Sequence, residues 1–542
     1  MFSTRTMRTT IRSSRCVGPV LLACALAPAA ALGQSATAGS GSSETSGASP
    51  AASGGSGAST ASQNSTAAHP DDRAISLSPD NAFITDVADA FDSHTTWGPR
   101  FTLSFVRTQR TATLVRERAP LSSGMMPGSP DLSRSGTTET DDVARFLQSV
   151  YTLNLGAELP VWHNLSLHFI APIILADQRS FEATGRGVDA LTDGFTVDGV
   201  PGRLFNLPFR SPDRSGIDQL KVGLNFNILS QARDPHMPTW LLRFEWRVPV
   251  GPVMSACEAA SGGTNRCPRL DAPRPTDPPD STSLMSTMDA PAERATDPAR
   301  TPGISRGVHG LFLQTVVSRR IGFFEPFLGL EALAEIPGAQ LPQFLYGGDK
   351  PFGQLSTLPP IKGALTVGAE IIPWENRETW QRFAIDVRLR GEYHSQGREF
   401  TPLYDALGSS NSVPLTSPTW AIRNQMARDP MNALWFTGTT SVQSHAKLGA
   451  YVGLNFQASR HFRFVLSGSL LYTSSHAMTA TDACNPNESS SNPADRGGCQ
   501  GTSVPDPQHR VVIDSAGSRF RMTNDFTWDI FAQLTFTPRV PW

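Results

Sequence analysis

The sequence predicts an all-β fold: a single antiparallel, up-and-down transmembrane β-barrel of about 12 strands with long extracellular loops. Three observations lead there. About twelve stretches alternate apolar and polar residues with a period of two, which puts the faces of each strand in different environments. The connections are short and long by turns, without exception. Barrels with short periplasmic turns and long outer loops have this layout, and a soluble sandwich has no reason to show it. Beyond the N-terminal leader no run of ~18 apolar residues occurs, so no transmembrane helix is expected.

The strands follow in order. The first opens RFTLSFVRT, with Phe101, Leu103 and Phe105 alternating. The second carries Tyr151, Leu153, Leu155, Ala157 and Leu159 on one face, and the third carries Leu165 to Leu175 at every second position. DQLKVGLNFNIL and TWLLRFEWRVPV make the fourth and fifth. GVHGLFLQTVV and FEPFLGLEALA, the sixth and seventh, alternate less cleanly. The eighth sets Leu365, Val367, Ala369 and Ile371 against Lys362, Thr366 and Glu370. The ninth runs Phe383 to Tyr393, the tenth Val442 to Phe456, the eleventh is RFVLSGSLLYT, and the last ends the chain. PVWHN, SQARDPHMP, SRRIG, PWENRETWQ and QASRH are the short connections. The long ones fall at roughly 119–142, 178–216, 251–305, 335–360, 394–437 and 475–519. A further hairpin inside 394–437 is compatible with this pattern. An even count puts both termini at the short-turn end. Trp97, Trp162, Trp240, Trp374, Trp380 and Trp542 gather there too, as an aromatic girdle would.

The N-terminus reads as a leader. MFSTRTMRTTIRSSR carries arginines and no acid, and an apolar stretch ending in small residues follows. This is a secretory signal peptide over 1–33, with cleavage after Gly33. Cys24, in LLAC, is an alternative lipidation site with an atypical box. Residues 34–78, rich in Ser, Gly and Ala, cannot build a core and are expected to be a disordered linker. Residues 79–96 carry Phe83, Ile84, Val87 and Phe91 at helical spacing, as a short helix or a lumenal or periplasmic segment. The barrel occupies 97–542.

Composition narrows the function. The net charge is −2 over 542 residues, so there is no basic stripe and no nucleic-acid partner is expected. After the leader four cysteines remain, as two local pairs, Cys257 with Cys267 and Cys484 with Cys499. In an exported chain, pairs at such spacing in loops read as disulfides. A zinc site would want tighter spacing or nearby histidines, and only His509 is close, so no metal is expected.

The last strand reads NDFTWDIFAQLTFTPRVPW. Phe526, Trp528, Ile530, Ala532, Leu534 and Phe536 form an oily row, and the row between them is polar apart from Phe531 and Pro541. A terminal aromatic after such a row resembles the C-terminal signature of Gram-negative outer-membrane β-barrels, a porin-like class. Pro538 and Pro541, which cannot donate ladder bonds, depart from it. The resemblance covers roughly 97–542. It implies placement in the cell outer membrane among its lipids, and recognition by the barrel-assembly machinery through the strand ending at Trp542.

Arg or Lys on lipid at mid-membrane costs ~2–4 kcal/mol. Lys221, Arg243, Glu245, Arg247, Lys362, Glu370, Asp386, Arg388, Arg390, Glu392 and Lys447 should therefore line the lumen, with Asp529. Either they pair and fill it, or Arg243/Arg247 and Arg388/Arg390 form a charge-selective constriction. The expected function is passive or weakly selective passage of small polar or charged solutes, without cofactors. Two alternatives stand beside it: binding or adhesion through the outer loops of a closed barrel, and transport of hydrophobic compounds. Enzymatic templates do not fit. His394–Ser395 and Ser444–His445 are adjacent pairs and point to opposite strand faces, and His94, His309, His461 and His476 lack acidic company. Gly449 and Gly453 are spaced for strand packing rather than for a phosphate loop.

Overall fold

The computed structural model describes residues 99–118, 139–162, 164–185, 187, 189–197, 200–231, 234–259, 265–268, 300–338, 358–412, 415, 419–420, 433–434, 436–481 and 508–538. The expectations for the leader, Cys24, the linker, the segment 79–96, Trp97, Cys484, Cys499 and Trp542 lie outside these residues.

Twelve long strands form the wall. They are β1 (Arg100–Arg118), β2 (Glu139–Trp162), β3 (Leu165–Ala183), β4 (Gln219–Leu229), β5 (Thr239–Pro249) and β6 (Val308–Ser318). β7 (Phe324–Pro337), β8 (Lys362–Asn376), β9 (Gln381–His394), β10 (His445–Gln457), β11 (Phe462–Thr473) and β12 (Phe520–Phe536) complete it. Each runs antiparallel to its neighbour in chain order. β1 bonds both β2 and β12: Phe101 faces Ala157 on one side and Phe536 on the other. The sheet therefore closes and leaves no edge to pair with another chain. The fold class and the count of twelve agree with the sequence.

The wall is uneven in height. β4, β5 and β6 have 11 residues each, whereas β2 has 24 and β1 and β3 have 19. A tilted spanning strand needs about 9–11 residues, so the β1–β3 side rises past the membrane. The residue pattern shows where. Low on the wall Phe101, Leu103 and Phe105 point out, beside Leu155 and Leu159 of β2 and Leu534 of β12, all about two-fifths exposed or more. Arg107 follows on the same row, with its guanidinium 5.7 Å from the Tyr151 ring and 5.4 Å from the Trp528 ring. Amphipathic aromatics around a cation mark a membrane–water interface. Above it the outward row of β1 turns polar, as Gln109, Thr111 and Thr113. The inward row turns apolar, with Ala112, Leu114, Phe146 and Phe181 buried. Below the interface the wall is a membrane barrel; above it the polarity inverts to that of a water-soluble one.

The inverted part carries a cap built from the long connections. Its core joins Leu114, Phe146, Phe181 and Phe520 of the wall to Leu204 and Phe209, to Leu403 and Leu407, and to Val512 and Ile513. Two short helices contribute, α1 (Tyr404–Gly408) and α2 (Val511–Asp514). Arg116 reaches in from β1 and donates to the carbonyls of Ala190 (3.0 Å), Val512 (2.7 Å) and Thr192. Arg214 forms a forked pair with Asp405 of α1 at 2.8 and 2.7 Å, and both side chains are buried. The Cys257–Cys267 disulfide is present, buried in the same cap, and the Cys257 N–H donates to Asp405 at 3.1 Å.

Two boundaries differ from the sequence reading. The tenth strand starts at His445, not Val442: Thr440–Val442 instead pairs with Gly397–Glu399 in the cap. Thr419–Trp420 pairs with Ala433–Leu434, a hairpin inside 394–437 that does not join the wall. The sixth and seventh strands alternate poorly because part of their inner row is apolar, with Phe312, Val316, Phe327 and Leu333 buried inside.

Candidate functional site

The lumen is the candidate site. All eleven charges expected there lie on inward rows, because in a strand every second side chain shares a face. The same spacing makes them neighbours. On β5, Glu245 accepts from Arg247 Nε at 2.9 Å and pairs with Arg243. On β9, Asp386 pairs with Arg388, and Glu392 accepts from Arg390 at 2.7 Å. Charges of opposite sign two residues apart are an ion-pair ladder written along one strand.

Cross-strand pairs extend these ladders. Arg390 reaches Glu331 of β7 at 2.7 Å. Glu370 meets Arg382 at 3.0 Å, and Lys362 meets Glu335 at 3.1 Å and Glu399 of the cap at 3.6 Å. Lys447 stands directly across from Glu392, and Asp529 accepts from Thr108 at 2.6 Å and Ser469 at 2.8 Å. His168 of β3 reaches across β4 to Glu245 of β5 at 3.2 Å. Gly223 lies beneath it, in register with both, and a Cβ there would come within 2.5 Å of the imidazole. The close crossing requires glycine at that point.

Sequence reasoning missed Glu325, Glu331 and Glu335 on β7, His168 on β3, and Arg306 from the β5–β6 connection. The β7 acids were legible as FEPFLGLEALAE, at spacings of six and four that share a face. Arg306 sits in a loop and no periodicity announces it.

Like charges also meet across strands within these ladders. Glu325, Glu370 and Asp386 lie directly across from one another on β7, β8 and β9. Lys221 likewise lies directly across from Arg247 on β4 and β5. Beside this second pair a cavity of about 270 Å³ remains in the lumen. Arg306 and Asp218 close one side of it, and Val106 and Phe531 line another.

Three histidines bridge the rim and the cap. The rings of His394 and His445 are 4.7 Å apart, and those of His445 and His476 are 4.1 Å apart and stacked. His394 Nε2 lies 3.2 Å from Glu392, while the neighbouring Ser395 hydroxyl accepts from the Ile361 N–H at 2.8 Å. The two side chains thus engage different partners, as their alternation implies. Among the described residues no group of three or more His, Cys, Asp or Glu is arranged to hold a metal ion.

No family model matches the chain, and no curated protein does. Solved structures share the architecture. An outer membrane channel from Pseudomonas putida F1 aligns over 82% of this chain and 97% of its own, at 8% identity and a TM-score of 0.33. A Pseudomonas aeruginosa FadL homologue aligns over 80% and 90%, at 9% identity and 0.30. The outer membrane protease OmpT from Escherichia coli aligns over 83% and 100%, at 7% identity and 0.24. At these scores the likeness carries no argument about activity or cargo. The closed twelve-stranded wall and its outward apolar belt are those of an outer-membrane-type β-barrel.

Proposed function

We propose that the barrel passes small polar or charged solutes across the outer membrane, and that the cap gates the path. The observation behind this reading is the cavity of about 270 Å³ left among charged side chains on the inner wall. Lys221 and Arg247 line it from neighbouring strands, beside the Glu245 that Arg247 bonds at 2.9 Å. The ladders hold most of the lumenal charges in pairs, so selectivity comes from where cations and acids are placed rather than from net charge.

A second reading has its own support. The long connections fold into a cap with its own apolar core, and such a surface suits binding while a closed barrel anchors it. Single-channel recording of the refolded protein in a planar bilayer separates the two. Stable open steps, with ion selectivity shifted by Arg388→Ala plus Arg390→Ala, support passage. A correctly inserted but silent barrel refutes it and moves the function to the cap.

A further inference from the structure

We infer that His394, His445 and His476 form a pH-sensitive clasp that holds the cap shut near neutral pH and releases it in acid. This rests on the cap gating the path, and it names what controls the gate. Each histidine stands where the wall gives way to the cap. His394 is the last residue of β9, and His445, directly across from it, is the first of β10. Between them runs the connection that holds α1 and its Asp405. His476 opens the next connection, in a two-residue strand whose register puts it across from Met522 of β12. The three rings therefore tie two cap connections together at the rim.

The stack suits neutral rings. His445 Nδ1 donates to the Gln443 carbonyl at 3.0 Å, and His476 Nδ1 donates to the Ser474 carbonyl at 2.9 Å. A neutral ring bonded in this way carries no proton on Nε2. The His445 ring centre lies 4.1 Å from that of His476 and 4.7 Å from that of His394, and all three residues are buried. A second proton on each ring would place like charges at about this separation, out of water, where they repel. The surroundings add to the repulsion. Lys447 shares the inward row of β10 with His445, Lys362 of β8 lies directly across from His394, and Arg110 of β1 acts on His476. The acids nearby are engaged. Glu392 of β9 accepts from Arg390 and meets His394, and Asp525 of β12 holds Arg110 at 2.7 Å. Glu335 of β7 and Glu399 of the cap hold Lys362. A charge on His394 is thus matched by Glu392, whereas charges on His445 and His476 meet each other and Lys447. Burial holds the His476 imidazole below its ordinary 6.5. A ring kept neutral in the closed cap and freed in the open one leaves the cap at full strength above that value, and the cap weakens as pH falls through it.

The test is limited proteolysis of the full chain refolded in detergent micelles, at about pH 7.5 and about pH 5, read as the cleavage rate within 395–444. Two variants remove the titrating rings. His445→Gln plus His476→Gln keeps polar side chains, and His445→Phe plus His476→Phe keeps stacked rings. Heat-dependent gel migration shows whether each barrel folds. Burial raises the Asp514 carboxyl, which acts in the opposite sense. The ratio of parent to variant rate at each pH cancels that contribution and the protease's own response to pH. The ratio should rise about thirtyfold from the higher pH to the lower for each histidine kept neutral in the closed cap. A ratio that stays flat against a folded variant overturns the clasp. Bilayer recording at the same two pH values keeps the two claims apart. Acid-accelerated cleavage with unchanged channel opening leaves the clasp standing and refutes the cap as the gate. Open channel steps with a flat cleavage ratio leave passage standing and refute the clasp.

Discussion

The forked pair between Arg214 and Asp405 should act as the latch of the cap. Arg214 ends the connection that descends from β3, Asp405 belongs to α1, and both side chains are buried. Arg214→Ala removes the two bonds at 2.8 and 2.7 Å and a third to the Ser255 carbonyl at 3.0 Å. It leaves the Asp405 carboxylate buried, with the Cys257 N–H at 3.1 Å as its remaining donor within this cluster. Breaking a buried pair from one side costs about 3–5 kcal/mol. If that falls on the closed cap alone, the ratio of closed to open cap drops roughly 10²- to 10⁴-fold. Limited proteolysis at fixed pH reads this ratio, because cleavage follows the open population when opening is fast. Cleavage within 395–444 should accelerate strongly, while the barrel keeps its heat-resistant migration. Replacing both partners by apolar residues of similar volume should restore most of the protection, since no buried charge is then stranded. Unchanged protection in Arg214→Ala would refute the latch. Equal loss of barrel and cap would show that they are one cooperative unit.

Three further outcomes are expected. Burial pushes Asp514 of α2 up to about 7 from its ordinary 3.8. A raised carboxyl stabilises the cap below the lower value and loses that contribution as pH rises through the higher one. Asp514→Asn should therefore match the parent near pH 4 and exceed it by about 4 kcal/mol at most above pH 7, read as cap proteolysis against pH. Glu245→Gln strips the acid from Arg243, Arg247 and His168 at once, so it should lower the unfolding midpoint by the equivalent of about 3–5 kcal/mol. It should also shift bilayer selectivity toward anions. Reduction of Cys257–Cys267, ten residues apart, removes a constraint typically worth about 2–4 kcal/mol. That loss should appear in cap proteolysis and leave the barrel transition in place.

The barrel itself was legible because its cause is local. Lipid outside and charge inside impose period-two alternation on every spanning strand, and the parity of Arg243, Glu245 and Arg247 already placed them inside. Closure of twelve strands followed from the rhythm of short and long connections. Even the pairing of lumenal charges was partly visible, in the opposite signs of Asp386 and Arg388 and of Arg390 and Glu392 at a spacing of two. The polarity inversion above Arg107 was not. The alternation continues unbroken through it, and only the height of neighbouring strands tells which row meets lipid and which meets the cap. The latch joins residues 191 positions apart, and the cavity gathers side chains from both ends of the chain, Val106 and Phe531 among them. Such contacts arise when closure brings the first strand against the last, so only the tertiary structure decides them.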